Sequence, residues 1–422
     1  MLRDRPAVCV TGMGIVTSLG MGKHDNWTAL TRGRSGIRAI DRFEVKGLRT
    51  GIGGTIDSDG LGTLPSTVRT ERLARAVLEE ALAEAELAAG NLPAPLFVGL
   101  PPREVEWPQR LALALEIGGG RSVSWDEVIL GSSRGQHREL HPVYLPGATA
   151  SRLAERFGTS GAPVVVNTAC ATGATAIQLA VEAIRRGETD MALAVASDAS
   201  IVPETIIRFS LLAALSVGNQ PPERAARPFS LDRDGFVLGE GAAALVLESH
   251  ASAKARGRPA LGFVTGLGES ADRFHLTRSS PDASAIVAAM RSAITDSDLA
   301  PQDIQYVNAH GTGTPENDRV EGLAHQLVFG TNAEQVPISS NKSMIGHTMS
   351  AAGAIEAVFS LLTIQNGALP PTINYRIPDP ALRLDVVANA ARAAEARNVL
   401  SNSFGFGGQN VCLVLGREPE RR

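Results

Sequence analysis

Cysteine is scarce in this chain: three among 422 residues, at positions 9, 170 and 412, with no CxxC pair and no metal-ligand spacing. So sparse and odd a count excludes a disulfide-built scaffold and points to a reducing compartment, the cytoplasm. Long hydrophobic runs are missing too. No stretch of 18 apolar residues occurs, and the apolar segment behind the polar first six residues is too short for a signal sequence, so membrane insertion is not expected. Charge of one sign is also lacking. Forty Lys and Arg against 44 Asp and Glu leave a net −4, which excludes a general attraction to nucleic acid or to an anionic membrane. Aromatic residues make up only 4%, whereas glycine numbers 43, so small side chains must pack closely against backbone.

The length exceeds the usual single core, and two domains or two halves sharing an interface are expected. Residues 8–10 read as a buried strand followed by a glycine turn, Thr11-Gly12-Met13-Gly14. The third glycine of a dinucleotide loop is absent at its required spacing, so no nucleotide site is expected there. Residues 67–89 predict a helix, with Leu73, Val77, Leu78, Ala81, Leu82 and Ala85 on one face and Arg69, Arg72 and Arg75 along one side. Short strands are expected at 96–98 and 128–130, with a poorly patterned stretch from 101 to 144 between and around them. Further strands follow at 164–166, 190–197, 242–247, 261–266, 304–307, 337–339, 398–401 and 411–415. Helical runs lie at 176–186, 284–292 and 351–362. This alternation implies duplicated α/β halves, 1–256 and 257–422, with the seam in the Lys/Arg/Gly-rich link at 254–259.

Chemistry concentrates at three points. Cys170 follows the apolar Val164-Val165-Val166 and opens a helical run of small residues. A lone cysteine is usually a small core residue. This one sits at a strand-to-helix bend, where the helix N-terminus favours a thiolate. His310 lies in Asn308-Ala309-His310-Gly311-Thr312-Gly313-Thr314 and His347 in Lys342-Ser343-Met344-Ile345-Gly346-His347. Neither has the HxH or HExxH spacing of a metal site, and no metal is expected. A thiolate nucleophile and two neutral imidazole donors form a kit for making an acyl thioester and attacking it with a carbanion. Lys342 is placed to hold charge near His347; Glu356, nine residues beyond, could orient that imidazole or pair with Lys342. Asp318 and Glu321 read as structural carboxylates near the His310 loop. In Phe404-Gly405-Phe406-Gly407-Gly408, flanking glycines free the backbone, so the Phe406 ring could swing and its amide could face a ligand; a β-bulge would look the same.

Taken together, these segments resemble the β-ketoacyl-acyl carrier protein synthases, specifically the elongating type II condensing enzymes. The matching stretches also include Val10-Thr11-Gly12-Met13-Gly14, Arg227-Pro228-Phe229 and the run from Asp232 to Gly241. The resemblance implies a thiolase-type fold, two duplicated α/β halves in a layered αβαβα arrangement, usually paired as a homodimer, with a heterodimer as the alternative. It implies an acyltransferase that loads an acyl chain on Cys170 from an acyl carrier protein's phosphopantetheine. The enzyme then condenses it with malonyl-carrier, with loss of CO₂, and needs no permanently bound cofactor. By the same resemblance the backbone N–H groups of Cys170 and Phe406 form the oxyanion hole, and His310 and His347 stabilise the enolate. Lys342 and Glu356 set the electrostatics, Thr312 and Thr314 bind the pantetheine arm, and Phe404, Gly405 and Phe209 contact substrate. Phe406 is the gate, and Arg69 and Arg72 dock the acidic carrier.

Two departures stand out. Residues 101–146 lack the family's expected pocket wall, and Ser210-Leu211-Leu212-Ala213-Ala214-Leu215 has no arginine where many relatives use one for docking. A specialised synthase for very long chains, polyenes or another secondary product is therefore the alternative. A chain-length-factor type subunit would replace the nucleophile, a thiolase would need a second catalytic cysteine where Cys412 sits in a strand, and an initiating synthase would carry Asn in place of His347.

Overall fold

The computed structural model describes residues 5–135 and 138–419. The outer ends of the two expected halves, 1–4 and 420–422, and residues 136–137 lie outside the described residues. The first half contributes strands β1 (Val8–Thr17), β2 (Leu96–Gly99), β3 (Val164–Val166), β4 (Met191–Asp198) and β5 (Gly241–Ser249), ordered β1-β5-β4-β2-β3. β5 is antiparallel to β1 and β4, while β2 is parallel to β4 and β3. The second half repeats the pattern with β6 (Gly262–Ala271), β7 (Tyr306–Asn308), β8 (Pro337–Ser339), β9 (Asn398–Phe404) and β10 (Gln409–Gly416), ordered β6-β10-β9-β7-β8. Its antiparallel and parallel neighbours follow in the same order. β1 and β6 meet antiparallel, Cys9 opposite Phe263.

Each strand set is apolar on both faces because helices cover both. Along β5, Ala243, Leu245 and Leu247 enter the central core, and the alternating Ala242, Ala244 and Val246 enter the core beneath helix α1 (Ser66–Glu84). Helix α2 (Thr172–Arg185) and, beyond α3 (Ser284–Asp296) and α4 (Pro315–Phe329), helix α5 (Ala352–Asn366) pack together between the strand sets. α1 and α3 cover the outer faces. Residues Ala352 to Ile364 of α5 are all buried, as a helix between two layers requires. The layers therefore run αβαβα. No helix among the described residues is long and apolar enough to cross a membrane.

Three local expectations change. Gly12 and Gly14 do not form a turn; β1 runs through them with a register shift between Val10 and Gly12. A Cβ at either position would lie 2.0 Å from a carbonyl oxygen of α1, that of Ala81 or Val77. The second half repeats this contact: a Cβ on Gly266 or Gly268 would lie 2.1 or 2.0 Å from carbonyls of α3. Glycine is there so that helix backbone can rest on strand backbone. Residues 128–130 belong to a helix, Trp125–Ser133, started by a capping box between Ser124 and Glu127, a signal that outweighs the β-branched run. A second helix, Trp107–Gly118, lies earlier in the stretch that lacked a pattern.

The two inner helices meet at their first turns. A Cβ on Gly173 would sit 2.6 Å from the amide nitrogen of Ala354, and one on Gly353 would sit 2.6 Å from that of Ala174. The segments before them also match: 3-10 turns at Ala169–Ala171 and Met349–Ala351, each opened by a left-handed residue, Ala169 at φ 50° and Met349 at φ 46°. Gly353→Val should lower stability by about 1–3 kcal/mol, the usual cost of overpacking a tight contact. An unchanged midpoint in thermal unfolding would show that the crossing tolerates a side chain.

Candidate active site

The strained elbow positions the candidate nucleophile. Ala169 holds a left-handed backbone that costs an L-residue about 1–2 kcal/mol, and Cys170 follows it, 6% exposed, ahead of α2. The matching elbow of the second half carries His347 just upstream of Met349. His347 Nε2 lies 3.1 Å from Cys170 Sγ. The Met349 amide donates to His347 Nδ1 at 3.2 Å, so the ring proton resides on Nε2 and points at the sulfur. The His347 amide donates to the Val237 carbonyl at 2.6 Å, and Gly239 N–H donates to the His347 carbonyl at 2.9 Å. Thus the segment from Asp232 to Gly241, matched earlier without a role, clamps the His347 backbone. Phe236 also sets its ring edge against the imidazole, with centroids 5.3 Å apart.

His310 completes the cluster. Its ring stands edge-on to His347, centroids 5.3 Å apart at 83°, and against Phe404 at 5.6 Å. One donor atom each from Cys170, His310 and His347 lie within 4.8 Å of one another. The two carboxylates expected near this loop hold its backbone. Glu321 accepts from the amides of His310 and Gly311 at 2.8 and 2.7 Å, and from the Asn402 side chain at 3.1 Å. Asp318 accepts from the amides of Phe229 and Gly313 at 2.7 and 3.1 Å. Lys342 donates to Glu356 in a fully buried pair, the second of the two arrangements considered for that carboxylate.

Burial and the Lys342 charge hold His347 well below the usual imidazole value. For His310, burial, Lys342 and then His347 act in the same direction. Both rings are therefore neutral hydrogen-bond donors at pH 7. The thiol departs from expectation. Burial pushes Cys170 up to about 11, although Lys342 and a hydrogen bond from the Phe406 amide pull it down. Burial also lifts Glu356 to about 7 against the pull of Lys342. The remaining thiols are placed less favourably: Cys9 is raised to about 12 and Cys412 well above its ordinary value, both chiefly by burial. A thiol and two imidazoles have the donor types to hold a soft cation, but Lys342 acts on all three and opposes one.

A cavity of about 570 Å³ opens onto Cys170, His310 and His347. Thr312 and Thr314, their hydroxyls bonded at 2.9 Å, line its approach, and Phe404 and Gly405 form part of its wall. A second cavity, about 230 Å³, also reaches Cys170. Phe209 and Phe406 border both, their ring centroids 6.5 Å apart.

The docking arginines are not brought to this site. Arg69 is 3% exposed and its guanidinium donates to the Leu64 and Ala199 carbonyls and to Glu240, so it is an internal tie rather than a surface contact. Glu240 also takes a bidentate contact from Arg42 at 2.7 and 3.0 Å. Helical spacing grouped Arg69 with Arg72 and Arg75, but the helix rotates the first of them inward at the Glu240 side. Arg72 is exposed and lines a separate groove with Arg75, Arg152 and Arg156. Sequence reasoning also missed Asp198, which is fully buried and accepts from the amides of Ser200 and Ser350 at 3.0 and 3.1 Å. An aspartate at the end of an apolar strand was its only signal.

Two family models cover most of the chain: "Beta-ketoacyl synthase, N-terminal domain" over residues 5–253 and "Beta-ketoacyl synthase, C-terminal domain" over residues 261–376. The chain belongs to the beta-ketoacyl synthase family. It is 36% identical to 3-oxoacyl-(acyl-carrier-protein) synthase 2 of Coxiella burnetii, over 98% of this chain and 99% of that protein. It is also 36% identical to the tetracenomycin polyketide synthase ketoacyl synthase alpha subunit of Streptomyces glaucescens, over 98% of both. Among solved structures, it matches a type II polyketide synthase ketosynthase bound to the hexaketide, in complex with its acyl-carrier protein. The TM-score is 0.86 at 30% identity, over 98% of this chain and 100% of that one. The layered thiolase-type fold and an acyltransferase-type condensing activity are those of this beta-ketoacyl synthase.

Two outcomes test the site's electrostatics. Alkylation of Cys170, followed by peptide mapping, should accelerate as pH rises toward about 11, where burial places the thiol. Lys342→Met removes a charge that stabilises thiolate, so it should slow the reaction at every pH. A rate already level at neutral pH would contradict this. Arg69→Ala should cost about 3–5 kcal/mol in denaturant unfolding, because it strips one cation from a buried carboxylate. A smaller loss accompanied by weaker carrier affinity would restore a surface role.

Proposed function

We propose that this beta-ketoacyl synthase extends an acyl chain by decarboxylative Claisen condensation with malonyl-acyl carrier protein, releasing a 3-oxoacyl-carrier. The observation that carries this reading is the approach of two neutral imidazoles to one buried sulfur. Cys170 attacks the acyl-carrier thioester, its proton leaving with the pantetheine sulfur as that C–S bond breaks. The amides of Cys170 and Phe406 receive the oxyanion. The malonyl thioester then enters beside Thr312 and Thr314. Loss of CO₂ leaves an enolate whose oxygen takes hydrogen bonds from His310 and His347. Two uncharged donors stabilise that charge without protonating the carbon. The carbanion attacks the acyl carbonyl, the Cys170 C–S bond breaks, and the thiolate returns. The nucleophile and the donors all come from the chain, so no permanent cofactor is required.

The division into halves 1–256 and 257–422 and a cytoplasmic address belong to the same reading, supported by the repeated strand order and by three free thiols. Pairing with a second copy is supported by exposed Trp107 and Trp125 on the helices that follow β2. A monomer in analytical ultracentrifugation would overturn it. An intact Cys170 favours a catalytic subunit over a chain-length-factor type partner, and relatives of both kinds at equal identity keep fatty-acid and polyketide-type elongation within this reading. Arg72 remains the arginine available to an acidic carrier.

Incubation with acyl-carriers should add one acyl mass to the protein, and Cys170→Ala should abolish the adduct. Labelling elsewhere would sink the assignment. His347→Ala should reduce condensation at least about tenfold more than acyl loading, since its hydrogen bond to a charged group is worth about 1.5–3 kcal/mol. An equal loss in both steps would remove the enolate role. Arg72→Glu should raise the KM for carrier without lowering the unfolding midpoint; an unchanged KM would remove the docking role.

A further inference from the structure

The two elbows are built alike, and each is completed by an amide from the opposite half of the chain. At the first, Cys170 follows left-handed Ala169, and the Phe406 amide reaches its sulfur from two residues beyond the end of β9. At the second, Ser350 follows left-handed Met349, so Ser350 stands where Cys170 stands. Its companion is the Ser200 amide, two residues beyond the end of β4, the strand that matches β9. The difference lies in the occupant. Asp198 fills the second pair with its own carboxylate, Oδ1 accepting from Ser200 at 3.0 Å and Oδ2 from Ser350 at 3.1 Å.

That carboxylate is 1% exposed, and two bonds from backbone amides to a charged group make it a firm tie between the halves. Ser350 is the middle residue of the turn Met349–Ala351, so anchoring its amide holds the strained Met349 backbone in front of it. The Met349 amide in turn donates to His347 Nδ1, which leaves the ring proton on Nε2, 3.1 Å from Cys170 Sγ. Asp198 therefore reaches the imidazole through two backbone amides without touching it. It also acts on the sulfur. Its charge raises the Cys170 thiol, as that of Glu356 does, while Lys342 lowers it. Arg103 is a cation whose own equilibrium feels Asp198.

We propose that Asp198 is a positioning residue for the condensation step: its carboxylate occupies the second elbow's counterpart of the oxyanion hole and thereby keeps the His347 proton on Nε2. This rests on the reading of His347 as a donor to the enolate. The second elbow has no acyl group to receive, and an empty pair of buried amides would leave two donors unsatisfied. Filling them from within the chain turns a spare copy of the hole into a brace for the imidazole.

The test uses Asp198→Asn, which keeps the side chain's shape but turns an NH₂ group toward one of the two amides. Acyl loading on Cys170 is read by intact mass, and condensation by formation of 3-oxoacyl-carrier. Condensation should fall at least about tenfold more than loading, the worth of a hydrogen bond to a charged group. Alkylation of Cys170 should move to lower pH, because removing a negative charge favours the thiolate; a merely structural residue would not cause that shift. Asp198→Glu keeps the charge and should retain part of the condensation rate and the wild-type alkylation profile. In wild-type protein labelled with ¹⁵N-histidine, His347 should show the Nε2–H tautomer, and Asp198→Asn should mix the two forms. Equal losses in loading and condensation, an alkylation profile that Asp198→Asn leaves in place, or Asp198→Glu no better than Asp198→Asn would each overturn the inference. So would an Nδ1–H tautomer in the wild type, a result that needs no variant to fold. Unimpaired condensation in His347→Ala would instead overturn the enolate reading itself.

Discussion

Everything at the reaction centre depends on one close crossing, where the first turns of α2 and α5 touch through Gly173 and Gly353. Each glycine leaves room only for an amide of the opposite helix. The elbow in front of α2 carries Cys170 and the elbow in front of α5 follows His347, so backbone contact between the helices becomes sulfur-to-imidazole contact at 3.1 Å. A larger side chain at either glycine would push the helix starts apart. The chemistry is thus set by the thickness of two polypeptide backbones, and duplication provides the two matching elbows.

The second constraint is burial around a single cation. Lys342 and Glu356 form an internal pair, and the lysine's charge is felt at Cys170, His310 and His347 together. Burial dominates at each of these groups, and its effect has opposite signs for acids and bases. It keeps the imidazoles uncharged, which suits donors to an enolate, and keeps the resting thiol protonated, which delays nucleophilicity until a thioester is present. The helix N-terminus that promised a thiolate is real, yet desolvation outweighs it before substrate enters. A low-dielectric site that withholds charge from its resting groups can apply all of its stabilisation to the charge formed during reaction.

Much of this was readable before any coordinates. Alternation of apolar runs with helical periodicity placed most of the strands and the four helices that define the layers, because each period of two or near four reports which face is covered. The motif residues around Cys170, His310, His347 and Phe406 do converge. The errors share a cause. Gly12-Met13-Gly14 was read as a turn because glycine usually marks one, whereas here it accommodates a helix lying across a strand. Arg69 was read as surface because charge usually is, whereas the buried Glu240, 171 residues away, draws it inward. Neither partner is visible in the local sequence.

The chain by itself determined the reacting groups, the strand-to-helix bend beneath the nucleophile and the duplicated α/β halves, since these follow from residue type and short-range spacing. Only the tertiary structure decided which imidazole meets the sulfur, how far burial shifts the thiol, and which arginines face solvent. Those properties depend on distances between residues far apart in sequence and on exclusion of water, and both arise only when the layers close.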